Sequence, residues 1–175
     1  ACVRGHPPQH TGGVLYSPPG SGKTVLITAL CAQRNIPTLI IVPKRARIKY
    51  WARQFKTFAP QVHVLSLERS TTPLDEDASV IISTWTTYRN HPSLDNSGSW
   101  PRLIIDCAHK AKSVRDRVAF LKSLRAKYTW LLTNVPNIVP VYRDLLRIPT
   151  NRLDDYILSP QFDIKNRLSI VDYAF

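Results

Sequence analysis

Residues 14–24 read Val-Leu-Tyr-Ser-Pro-Pro-Gly-Ser-Gly-Lys-Thr, an apolar run entering a glycine-rich turn that closes on Gly-Lys-Thr. Glycines at 20 and 22 let the backbone curl until successive N–H groups face one anion, with no Cβ in the way. Lys23 can then bring its ammonium to the β- and γ-phosphates, Thr24 its hydroxyl to Mg²⁺, and a helix starting there its positive dipole end. Gly20, Ser21, Gly22, Lys23 and Thr24 are therefore candidate phosphate ligands, and ATP with Mg²⁺ is the expected cofactor pair. Ser17 stands where such a P-loop usually has its first glycine, an exchange of one small residue for another.

A triphosphate site of this kind needs an acidic group at the end of a neighbouring strand, opposite the phosphates. Leu103-Ile104-Ile105-Asp106-Cys107-Ala108-His109 supplies one. Asp106, closing an apolar run, is well placed to hold the metal through its water shell, with Thr24 as the other metal-binding side chain.

The elements that would position these residues alternate along the chain. Short apolar, β-branched runs at Gly13–Tyr16, Thr38–Val42, Val62–Leu65, Val80–Thr84, Leu103–Asp106 and Tyr128–Thr133 predict strands. Apolar residues at helical spacing predict helices over Lys23–Gln33, Arg45–Phe58, Val114–Ala126 and Val139–Leu146. Uniformly apolar strands separated by helices imply a mainly parallel sheet covered on both faces, a three-layer α/β domain. Ligands of such sheets sit at the carboxyl ends of the strands, which is where Ser17–Thr24, Asp106–His109 and Thr133–Pro136 fall. Trp51, Phe55 and Phe58, spaced four and three apart, are expected in the core, and Cys31 as a small hydrophobe on the first helix. Segments 66–78 and His91–Pro101 read as surface loops, and the βα rhythm fades after Pro149.

Composition narrows the class. The chain has 175 residues, 43% of them apolar, enough for one domain with a real core. No run approaches the length of a membrane span, so no membrane partner is expected. The absence of methionine, even at position 1, suggests a piece of something longer. Cys2, Cys31 and Cys107 show neither paired nor metal-ligand spacing, which fits a reducing nucleus or cytoplasm and disfavours structural zinc or a disulfide framework. Lys plus Arg number 24 against 12 Asp plus Glu, a formal charge of +12 concentrated in stretches such as Lys44–Lys56 and Arg115–Lys127. That balance suits a polyanionic partner.

Taken together, these segments resemble the first RecA-like lobe of a superfamily two helicase, specifically of the Swi/Snf-type DNA-dependent ATPases, over roughly residues 12–150. The family's second motif, Asp-Glu-Ala-His, is matched by Asp106-Cys107-Ala108-His109. Its third, Leu-Thr-Gly-Thr-Pro, is matched by Leu132-Thr133-Asn134-Val135-Pro136. Ile41-Val42-Pro43-Lys44 with Phe55-Lys56-Thr57-Phe58-Ala59-Pro60 resembles motif Ia, and Val80-Ile81-Ile82-Ser83-Thr84-Trp85 resembles motif Ib. The resemblance implies catalytic roles for Asp106 and for His109, which would bridge the phosphate site and the third motif. It implies nucleic-acid phosphate contacts from Lys44, Thr84 and Arg89, and an adenine-reading Gln9 in a short N-terminal extension, residues 1–11. It implies duplex DNA and a second RecA-like lobe, reached through a tail at 151–175, as partners, chromatin remodelling as the setting, and the nucleus as the location.

The departures from the family pattern bear on activity. Cys107 occupies the position of the glutamate that polarises the attacking water, and a thiol of ordinary pKa, about 8.5, is mostly neutral at pH 7. Asn134-Val135 replaces Gly-Thr in the third motif, removing a hydroxyl. The sequence thus predicts a nucleotide-binding, DNA-engaging lobe impaired in hydrolysis, with a non-catalytic helicase-like scaffold or protein-interaction module as the alternative. An ordinary P-loop kinase is disfavoured, because nothing resembles an arginine-rich phosphate lid.

Overall fold

In the computed structural model, residues 12–94, 99–113, 115–135, 146 and 157–158 are described. The elements run β1 (Gly12–Tyr16), α1 (Lys23–Gln33), β2 (Thr38–Val42), α2 (Arg45–Phe58), β3 (Val64–Leu67), β4 (Val80–Thr84), α3 (Trp85–Arg89), β5 (Ser99–Ile105), a 3-10 helix (Ala108–Ser113), α4 (Arg115–Ser123), β6 (Arg125–Thr133) and β7 (Ile157–Leu158). The strands form one sheet in the order β3-β4-β2-β5-β6-β1-β7, and every pairing is parallel. The expected three-layer RecA-like α/β fold is the one observed.

Strand alternation divides the core in two. Leu39, Ile41, Leu103, Ile105 and Leu131 point to the face that carries Tyr88 of α3 and Phe120 and Leu121 of α4. Ile40, Val42, Ile104, Trp130 and Leu132 point to the other, against Ile27 and Leu30 of α1 and Ile48, Trp51 and Phe55 of α2. Each such Leu or Ile, fully buried, contributes roughly 1.5–3 kcal/mol. Cys31 is buried in the second cluster, as its reading as a small hydrophobe requires.

The register aligns the carboxyl ends of the central strands. Ile41 faces Ile105 in β5 and Ser83 in β4, while Tyr16 faces Thr133. The chain leaves β1, β2, β5 and β6 at one rim, and backbone hydrogen bonds continue past the strands, from Ser17 N to Thr133 O (3.2 Å) and from Asp106 N to Ile41 O (2.9 Å).

The structure corrects several boundaries. Strand β3 lies two residues later than the apolar run suggests: Val62 N closes a turn on Ala59 O at the end of α2, and pairing starts at Val64 opposite Val80, which buries Leu67. Ser99–Pro101 is strand rather than loop, because Ser99 and Trp100 pair with Arg125 and Ala126 in an equally extended β6. The Trp100 indole there donates to the Tyr88 hydroxyl at 2.9 Å. The helix expected over Val114–Ala126 stops at Ser123, since β6 has already begun at Arg125. Phe58 is 51% exposed, not core: Ala59 takes the buried position in the row Trp51, Phe55, Ala59. The expected helix Val139–Leu146 lies outside the described residues except Leu146, as does the 151–175 segment except Ile157–Leu158, which pairs with β1.

Gly12 shows how tightly β1 meets β6. Its φ is +145°, and a Cβ there would lie 1.8 Å from the carbonyl oxygen of Thr129. Gly12→Ala should therefore lower stability by at least about 1–3 kcal/mol, since backbone cannot yield as a side-chain tip can. Urea denaturation checks this, and an unchanged midpoint would contradict it.

Candidate nucleotide site

Beyond Tyr16 the chain turns through Ser17–Gly22 and enters α1 at Lys23. Gly20 and Gly22 have φ of +78° and +87°, the left-handed region that glycine alone enters freely. A Cβ on Gly20 would meet nothing within 4 Å, so conformation and not space calls for glycine there. Gly22 is the N-cap residue of α1, and no side chain caps that terminus. The loop is thus a backbone cradle opening on a helix N-terminus, the arrangement that takes phosphate.

The Lys23 ammonium fills the centre of this loop. It donates to the carbonyl oxygens of Ser17 and Pro18, the latter at 2.8 Å, and lies 3.3 Å from Ser17 Oγ and 3.4 Å from Ser21 Oγ. The two serine hydroxyls also contact each other. Ser17, the departure from the usual glycine, therefore serves Lys23 through both its carbonyl and its hydroxyl. Burial lowers the Lys23 pKa, against the opposing pull of the Asp106 carboxylate. Thr24 is buried at the start of α1.

Asp106 follows β5 and is 6% exposed. Its Oδ2 accepts from Arg47 Nε at 2.9 Å, Arg47 Nη2 at 2.7 Å and Trp51 Nε1 at 3.0 Å. Sequence reasoning missed Arg47 and gave Trp51 only a packing role. One signal was available: Arg47 lies in the first turn of α2, which contains no acid, and a cation there opposes the helix dipole unless a counter-charge faces it. Asp106 is that counter-charge. Burial disfavours the guanidinium, but the carboxylate charge and hydrogen bonds outweigh it and the Arg47 pKa is raised. Truncating Asp106 would leave the fully buried Trp51 indole without its acceptor, a loss of roughly 1–3 kcal/mol.

Cys107 is partly exposed and has φ of +53°, the one non-glycine residue in that region among the described residues. Burial, followed by the neighbouring Asp106 charge, raises its thiol pKa, so the group is neutral at pH 7. His109 Nδ1 lies 3.2 Å from Thr133 Oγ1, which also accepts from Val135 N at 3.1 Å. Burial, reinforced by Lys110 and opposed by Asp106, lowers the His109 pKa and leaves the imidazole neutral at pH 7.

The remaining expected contacts lie along the same rim. Lys44 and Arg89 are exposed, at the N-cap of α2 and in the last turn of α3. Thr84 is buried, and its hydroxyl caps α3, accepting from Thr87 N at 3.2 Å and donating to Thr87 Oγ1 at 2.9 Å. Gln9 lies outside the described residues. The loop suits a phosphate chain, whereas the metal-binding set suits a divalent ion poorly. Of the expected pair, Thr24 and Asp106, the carboxylate already has one oxygen accepting three donors.

The family model that describes the SNF2-related domain matches residues 4–145. The chain belongs to that family. Among solved structures, the SWI2/SNF2 ATPase core of Sulfolobus solfataricus in complex with dsDNA superposes with a TM-score of 0.68 at 21% identity, over 87% of this chain and 41% of that one. The UvsW helicase of bacteriophage T4 superposes with a TM-score of 0.62 at 17% identity, over 85% of this chain and 54% of that one. At such identities the likeness establishes the fold alone, the three-layer α/β lobe described above. This SNF2-related chain spans only about half of either structure or less, and no curated protein matches it.

The raised thiol pKa makes Cys107 slow to alkylate. Iodoacetamide labelling at pH 7, resolved by peptide mass spectrometry, should lag behind a free cysteine peptide and accelerate as pH rises beyond the ordinary thiol range. Asp106→Asn should speed it, because a charge that opposes the thiolate is removed. Labelling as fast as the free peptide at pH 7 would contradict the placement of the thiol.

Proposed function

We propose that this SNF2-related lobe binds ATP at Ser17–Thr24, engages duplex DNA through phosphate contacts, and hydrolyses ATP poorly. The observation that carries the reading is the P-loop itself: left-handed Gly20 and Gly22 before an uncapped α1, with the Lys23 ammonium held among loop oxygens. On binding, Lys23 exchanges the Ser17 and Pro18 carbonyls for phosphate oxygens, while loop N–H groups and the α1 terminus complete the cradle. Impaired hydrolysis follows from Cys107. General-base assistance is commonly worth about 10²–10⁴ in rate, and a neutral thiol does not supply it. A second RecA-like lobe would complete the cleft, and the chain's spanning 41% of the Sulfolobus core is consistent with one. The engagement of Asp106 by Arg47 favours a second reading, a non-catalytic scaffold of the same fold, which differs from the first in having no turnover at all.

The DNA assignment rests on the charge of +12, on exposed Lys44 and Arg89 beyond β2 and β4, and on the dsDNA held by the Sulfolobus relative.

Calorimetric titration with ATP should show binding by the parent chain and its loss in Lys23→Ala, with phosphate release near background in both. Equal binding by the two, or none at millimolar nucleotide, would refute the P-loop reading; brisk turnover abolished by Lys23→Ala would show that another group serves as base. Duplex DNA should bind without sequence preference and lose about tenfold or more in affinity between 50 and 200 mM salt, as several phosphate contacts require. A salt-indifferent interaction, or none at low salt, would remove DNA from the reading.

A further inference from the structure

The Arg47–Asp106–Trp51 cluster occupies the place where a P-loop ATPase presents its carboxylate to a metal. Asp106 is held there from two directions. The guanidinium places Nε and Nη2 on a single carboxylate oxygen at 2.9 and 2.7 Å, and the indole of the fully buried Trp51 donates to that same oxygen at 3.0 Å. Turning this oxygen toward a metal would orphan a buried N–H and leave Arg47 uncompensated at the positive end of α2, whose N-cap and first residue are Lys44 and Arg45.

The charges around the cluster point the same way. By formal charge Asp106 brings −1 while Arg47 and Lys23 bring +1 each, Lys110 lies nearby, and residue 107 is a cysteine where the family pattern has a second carboxylate. Glu68, Asp75, Glu76 and Asp77 belong to the loop after the edge strand β3, and Asp116 falls in α4. A dication entering here meets a carboxylate that is already neutralised, whereas a polyphosphate meets a net positive site.

We propose that the Arg47 guanidinium supplies at Asp106 the charge that a divalent metal would otherwise bring, so that the loop takes a nucleoside polyphosphate without needing a divalent cation. The proposal rests on the nucleotide-binding reading above. It assigns Arg47 as the residue that sets the metal requirement, and it accounts for Asp106 being retained beside a lost glutamate: the carboxylate is needed to seat Arg47 and Trp51.

Titration of the whole chain with ATP, once in excess Mg²⁺ and once in EDTA, separates the possibilities. Dissociation constants within about threefold of each other are expected for the parent chain, and a gap of about tenfold or more, weaker in EDTA, for Arg47→Met. Arg47→Lys, which keeps the charge, should remain nearly indifferent to metal. Circular dichroism identifies a variant that fails to fold; should Arg47→Met fail, the parent chain and Arg47→Lys still decide. A tenfold metal requirement in the parent chain, or a folded Arg47→Met that is indifferent to metal, overturns the proposal while leaving nucleotide binding intact. No binding in either buffer overturns the nucleotide reading and this proposal with it.

Discussion

Parallel pairing is the constraint on which the arrangement depends. A strand pair that runs in one direction cannot be closed by a hairpin, so each connection crosses over a face of the sheet and brings the chain back to the starting edge. Because all the pairings here are parallel, every strand delivers its following segment to the same rim. Ser17–Thr24, Pro43–Arg47, Asp106–His109 and Thr133–Val135 are neighbours for that reason, although more than a hundred residues separate the first from the last. The same crossovers cover both faces, which is why the carboxyl-terminal halves of the central strands are largely apolar and why the two core clusters alternate residue by residue.

How much of this was legible depends on burial. Strands β2 and β4 match the apolar runs to the residue because all ten of their positions are buried and polar segments bound them sharply. Strand β3 slipped by two residues because it is an edge strand in which only Leu67 is fully buried, so composition constrained its register weakly and pairing with β4 decided it. Ser99–Pro101 looked like loop because Pro92, Asn96, Gly98 and Pro101 punctuate the segment, yet β6 extends far enough to recruit it. Helix α3 and the 3-10 helix are too short to carry a periodic signal, although the Thr84 hydroxyl that caps α3 was visible as a residue type. The glycine-rich loop was readable because its chemistry needs particular residue types at fixed spacing.

The Asp106 cluster escaped for a different reason. Its partners are 59 and 55 residues away in sequence, and nothing local joins them. What does join them is helical geometry. Ile48, Trp51 and Phe55 fix which side of α2 faces the sheet, and Arg47 and Trp51, four residues apart, are neighbours on the surface of that helix. Once the apolar row is seated and β5 ends beside β2, both side chains reach the same carboxylate. An arginine in the first turn of a helix without acids was the visible half of this arrangement; the compensating charge could be found only in three dimensions.

Two features of the rim therefore act on one electrostatic balance. Replacing glutamate by Cys107 removes a negative charge from the rim, and seating Arg47 on Asp106 adds a positive one, so both shift the site in the same direction. Two unit charges 4 Å apart interact by about 4 kcal/mol at an effective dielectric constant near 20, so shifts of this kind bear directly on a polyphosphate at the rim. They leave untouched the features whose geometry suits a phosphate, namely the left-handed glycines, the uncapped α1 terminus and the Lys23 ammonium. On the reading proposed above, the site keeps the part of the machinery that depends on backbone shape and positive charge and gives up the part that depends on a free carboxylate. On that same reading, binding and hydrolysis draw on physically separable groups of the rim.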